Sequence, residues 1–204
     1  MIAPARTLAD VFVGREKELA KLDQALQRIR AGLPVTVHLS GKSGRARSVL
    51  VRYFTKKVYR EVSECVVLVG RCYERENVPF NALDSLIDAL SQYWGELAEP
   101  ERKLLLTRDT AALLRLFPVL GQVDVVARVE DRELIPDSRQ LRSRAFAALR
   151  TIIRHVGERT TLLLIIDDLE SRDACLCFAC RALSEFFNLR KSLESRYITI
   201  VSAK

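Results

Sequence analysis

The sequence predicts an α/β chain: a three-layer αβα sandwich around a mainly parallel sheet, with a helical insertion between the second and third strands. Three observations predict it. Four short runs of aliphatic and β-branched residues, at 35–40, 65–70, 162–168 and 197–202, alternate with segments of helical periodicity. Each run is apolar almost throughout, as a strand covered on both faces must be, whereas a one-sided strand alternates polar with apolar. The composition is that of an ordinary globular chain: 204 residues, 49% hydrophobic, mean hydropathy +0.03. That is enough chain for one well-buried domain over 1–204.

The first helix carries Leu19, Leu22, Leu26 and Ile29 along one face and stops near Gly32-Leu33-Pro34. A strand over 35–40 (VTVHLS) follows, then a loop over 41–47 that feeds a helix over 48–62. The second strand, 65–70 (CVVLVG), leads through an irregular stretch at 71–78 into a helix over 79–96 that Pro79 opens. Leu83, Leu86, Ile87, Leu90 and Trp94 mark the buried side of that helix. Two short helical patterns broken at Pro118 occupy 100–127, and 130–137 reads as a charged loop. Asp137 is suited to cap a helix carrying Leu141, Ala145, Leu149, Ile152 and Val156 and ending at Gly157. Residues 79–157 thus form the helical insertion. The third strand, 162–168 (LLLIIDD), ends in two carboxylates; a helix over 174–187 and a last strand, 197–202 (YITIVS), complete the pattern.

Charge is unevenly placed. The chain carries +7 overall, but residues 1–60 hold 13 Lys/Arg against 4 Asp/Glu, a balance of +9, while residues 61–204 hold 20 against 22. A basic segment around a glycine-containing loop suits a phosphate-bearing ligand. No apolar run approaches membrane-spanning length and the first residues lack the apolar core of a secretion signal, so a cytoplasmic protein without a membrane role is expected. Five cysteines without framework spacing agree with a reducing compartment. Cys175, Cys177 and Cys180 lie within six residues on one predicted helix and cannot all converge on one metal, so a zinc site is not expected.

The loop Gly41-Lys42-Ser43-Gly44-Arg45-Ala46-Arg47-Ser48 stands where a GxxxxGK(S/T) phosphate loop would stand, between a buried strand and a helix. In such a loop glycines let backbone N–H groups wrap a phosphate, a lysine meets the β/γ-phosphates and the hydroxyl reaches Mg²⁺. Gly41 and Ser48 match, Gly44 adds a flexible point, and Lys42 offers a second charge. Ala46 replaces the motif's second glycine and Arg47 its lysine. A Cβ at position 46 costs about 1–2 kcal/mol if the backbone there is left-handed. Arginine's planar fork is no neutral replacement for an ammonium. The apolar strand ending in Asp167-Asp168 has the form of a Walker B segment, in which the first carboxylate holds Mg²⁺ and the second polarises the attacking water.

These residues carry a family likeness. Phe12-Val13-Gly14-Arg15-Glu16 resembles the FVGRE box that opens STAND-type signalling ATPases, also described as origin-recognition-complex-like AAA domains, and LLLIIDDL at 162–169 resembles their Walker B. The stretches GRCYERENVPF at 70–80 and RLFPVL at 115–120 look like segments of a bacterial branch often fused to Ser/Thr protein kinases. The resemblance implies a P-loop NTPase fold binding ATP with Mg²⁺. It implies Val13 and Gly14 beside the adenine, Gly41 through Ser48 around the phosphates, Ser48 and Asp167 on the metal, and Asp168 as the catalytic acid. Glu170-Ser171-Arg172 departs from the family's usual continuation and leaves only Asp173 in place. Relatives continue into a helical lid, so a fragment or a degenerate stand-alone copy is expected, and no kinase motif is present.

The reading that follows is an ATP-binding regulatory module with weakened binding and doubtful hydrolysis, acting on other protein domains and open to self-association. The alternative is a pseudo-ATPase that serves only as an interaction scaffold. Nucleic acid is less favoured: Arg139, Arg142, Arg150 and Arg154 read as a solvated helix face, and there is no helix-turn-helix or aromatic platform. His38 and His155, the only histidines, read as structural in the absence of a nucleophile motif.

Overall fold

Apolar strands alternate with amphipathic helices, and the fold follows from burying both sides of those strands. The computed structural model describes residues 15–33, 35–40, 44–71, 81–129, 137–169 and 197–203. Its elements run α1 (Glu16–Arg30), β1 (Val35–Ser40), α2 (Gly44–Glu61), β2 (Cys65–Arg71), α3 (Asn81–Glu96), α4 (Glu99–Leu104) and α5 (Thr110–Leu116). A 3-10 turn (Pro118–Gln122), α6 (Asp124–Ala127), α7 (Ser138–Arg159), β3 (Thr161–Leu169) and β4 (Tyr197–Ala203) follow. Among the described residues all three strand pairings are parallel, and the order across the sheet is β1-β4-β3-β2. The fold is α/β with a parallel sheet, and α3 to α7 form the helical insertion between β2 and β3.

Side-chain alternation along the strands sorts the core into two layers. Leu163, Ile165 and Ile200 face α1 and α2, where Leu22, Leu26, Ile29, Leu50, Val51, Phe54 and Val58 close over them. Leu162, Leu164 and Ile166, one residue out of phase, face the insertion and meet Leu83, Leu86, Leu90, Trp94, Leu149 and Ile152. Trp94 is fully buried, and its indole N–H donates to the carbonyl of Arg102 at 3.0 Å, so the one polar atom of the ring is satisfied. Arg102 then reaches Asp124 at 2.7 Å, and Arg144 of α7 reaches Asp109 at 2.6 Å, which ties the short helices together.

Helix ends follow their local chemistry. After α1, Gly32 takes φ 79°, its N–H bonds the Ile29 carbonyl, and the N–H of Leu33 bonds that of Arg28 at 3.0 Å. This is the two-bond left-handed stop that glycine favours. Asp137 caps α7, its carboxylate accepting from the Arg139 N–H at 3.0 Å.

Several boundaries move. The long helix runs through Gly157 to Arg159: Gly157 is buried on the helix's inner side, and the chain turns extended only at Thr160. The stretch 100–127 holds three short helices and a 3-10 turn where the sequence suggested two helical patterns. α2 begins at Gly44, four residues ahead of expectation, because Gly44 to Arg47 join the helix rather than the loop. The predicted helix at 174–187, with its three cysteines, lies outside the described residues.

Candidate functional site

The carboxyl ends of β1 and β3 converge on one edge of the sheet. Ser40, the last residue of β1, is in register with Ala203 of β4, and Ala203 is in register with Leu169 of β3. One strand, β4, therefore separates the strand that feeds the candidate phosphate loop from the strand that carries Asp167 and Asp168. Two strand spacings amount to about 10 Å, a gap that a triphosphate can span. In open α/β sheets this carboxyl edge is where ligands bind.

α2 starts at that same edge. Its 18 residues present the positive end of a helix dipole there, and its first turn contains no acidic residue. Instead Arg45 and Arg47 both fall within the first four residues, against the preference of a helix N-terminus for negative charge. An anion on the helix end would offset both terms.

Arg47 is 3% exposed. It lies in phase with Leu50, Val51, Phe54 and Val58, the stripe of α2 that faces the sheet, and it is engaged within the fold. A guanidinium in the lysine slot is thus drawn into the interior. Ser48 is half-buried one residue further on and is likewise engaged. Ala46 has helical backbone, so the left-handed condition under which its Cβ would be costly is not met.

Of the remaining predicted residues, Gly44 and Arg45 open α2, and Asp167 and Asp168 sit near the end of β3. Val13, Gly14, Gly41, Lys42 and Ser43 lie outside the described residues. The fold therefore brings together the start of α2 and the acidic end of β3. Arg71, the last residue of β2, shares this edge as the register partner of Asp167. The sequence reading put Arg71 in the irregular stretch 71–78 and gave it no site role, because strand register cannot be seen in a linear sequence.

The other candidates are peripheral. His38 is exposed on β1 and His155 is half-buried on α7. Arg139 is exposed, Arg142 and Arg150 are half-buried, and Arg154 lies 3.7 Å from Glu158 one turn along. Cys65 is free, and burial pushes its thiol up to about 11. No helix among the described residues is long and apolar enough to cross a membrane.

No curated protein matches the chain. The family model described as the AAA ATPase domain matches residues 11–199, which take in the candidate phosphate loop, Asp167 and Asp168. With a parallel sheet of order β1-β4-β3-β2 and a helix N-terminus set at its carboxyl edge opposite an Asp-Asp strand end, the chain belongs to the AAA ATPase domain family.

Proposed function

We infer that the chain is an ATP-binding regulatory module of the STAND type, in which nucleotide occupancy rather than rapid turnover sets the signalling state. One observation carries this reading: the N-terminus of α2, with two arginines and no acid in its first turn, shares the carboxyl edge with the acidic end of β3. The backbone N–H groups of α2 and the basic loop would hold the phosphates, with Val13 and Gly14 at the base. Ser48 and Asp167 are oxygen donors of the kind Mg²⁺ accepts, so the residues fit the metal in type. Held there, Mg²⁺ would offset the negative charge of the phosphates, and Asp168 would orient a water. Cytoplasmic location, a single nucleotide-binding domain, contact with other protein domains and self-association complete the proposal.

Weak turnover follows from Arg47. Its guanidinium lies in the interior, where a lysine on a flexible stem would reach the β/γ-phosphates as a point charge. The test compares native protein with Ala46→Gly/Arg47→Lys, using a fluorescent ATP analogue for affinity and phosphate release for hydrolysis. The rebuilt loop is expected to bind several-fold more tightly and to raise turnover from near background. Equal affinities would remove the claim that the loop is weakened. No binding by either protein would favour the scaffold reading.

A further inference from the structure

Charge is nearly absent from the sheet. Among the residues of β1, β2, β3 and β4 only Arg71, Asp167 and Asp168 are charged at neutral pH, and two of these three are register partners: Arg71 of β2 lies beside Asp167 of β3. Register partners in a parallel pair occupy the same face of the sheet, about 4.8 Å apart across the strands. Both charges also arise at the same level. The preceding partners, Gly70 and Ile166, are buried, and Arg71 and Asp167 follow them directly along the two strands. On the other side of β3, β4 contributes no charged residue at all.

A carboxylate next to an apolar layer is stabilised by a nearby counter-charge. In the metal-bound state expected of this family that charge comes from Mg²⁺. Here the neighbouring strand supplies one covalently, with no concentration dependence. A guanidinium offers a carboxylate two donors in one plane, whereas Mg²⁺ gives up its hydration shell reluctantly. We propose that Arg71 is the resident counter-charge of Asp167 and competes with Mg²⁺ for it, so that this chain holds nucleotide with little help from a divalent cation. The proposal rests on the nucleotide-binding reading above and narrows it: a cation built into the strand next to Asp167 is a second and independent reason for slow hydrolysis.

Two measurements separate the pair from the nucleotide. The first uses nucleotide-free protein in EDTA: thermal unfolding of native, Arg71→Gln, Asp167→Asn and the double variant. The expected result is strong non-additivity, with the double variant melting near the single variants; additive melting shifts would overturn the pairing. Arg71→Lys, which keeps the charge, is expected to melt close to native and so separates loss of charge from loss of fold.

The second measures affinity for a fluorescent ATP analogue in Mg²⁺ and in EDTA. Native protein is expected to bind within about twofold in the two media, and Arg71→Gln to gain a several-fold preference for Mg²⁺. A native preference of tenfold or more for Mg²⁺ would overturn the competition. Absence of binding in both media would overturn the nucleotide reading and with it the competition, while the melting data would still decide the pairing.

Discussion

Arg47 illustrates how a single side chain redirects a site. The sequence placed it in the lysine slot of a phosphate loop; its burial at 3% exposure sets it on the sheet-facing stripe of α2. Periodicity could have indicated this, since Arg47 is three and four residues before Leu50 and Val51, but a motif-based alignment reads the residue as a ligand rather than as part of a stripe. That Asp167 and Asp168 close an apolar strand was legible because the run 162–166 leads straight into them, whereas the position of Arg71 beside Asp167 was not, because it depends on strand register. Cys65 gives a residue-scale test by pH. Burial raises its thiol from the ordinary 9.0 to about 11 in the folded protein, so the unfolded chain ionises first. Stability is then full below about pH 9 and falls as pH rises toward 11. Urea denaturation across that range should show the decline, and Cys65→Ala should flatten it.

At the scale of elements, helix and strand identities were readable from periodicity, and the ends were readable where a residue's own chemistry dictates them. Gly32 and Asp137 are such residues. Replacing Gly32 by Ala forces a Cβ into φ 79° and should cost about 1–2 kcal/mol. Asp137→Ala removes the N-cap of α7 and should cost about 1 kcal/mol; both are measured by urea denaturation. By contrast, the bridge from Lys57 to Asp23, 2.6 Å long between side chains 31% and 38% exposed, is solvent-screened, and Asp23→Asn should cost no more than about 1 kcal/mol. The hydrogen bond to Asp23 raises the Lys57 pKa, which favours the charged amine in the folded state. Gly157 misled the sequence reading because glycine both ends helices and lets them pack closely, and only the packing partner distinguishes the two. The start of α2 was misplaced for a related reason: glycine and serine in 41–48 suggested loop, while Arg45, Ala46 and Arg47 are all strong helix formers.

Across the whole molecule, two apolar layers on either side of one sheet hold the carboxyl edge in place. Trp94 is fully buried in the insertion layer and Phe54 in the layer of α1 and α2. Trp94→Ala and Phe54→Ala should each cost about 3–5 kcal/mol. The Phe54 change should weaken nucleotide binding as well, because Phe54 belongs to the helix whose first turn is the proposed phosphate site. A parallel sheet and its approximate strands were foreseeable from the continuous apolar runs. The strand order was not, since it depends on which crossovers leave by which face, and that order sets the start of α2 against the end of β3.

The most direct test of the nucleotide site is the melting temperature of the native chain as ATP is raised to millimolar concentrations. A ligand bound only by the folded state at a hundredfold excess over its Kd adds about 2.7 kcal/mol, about 5–10 °C for a domain of this size. The melting temperature is expected to rise with ATP concentration, in EDTA as well as in Mg²⁺, and by more than the nucleoside alone gives. A melting temperature unmoved by ATP in either medium would contradict it.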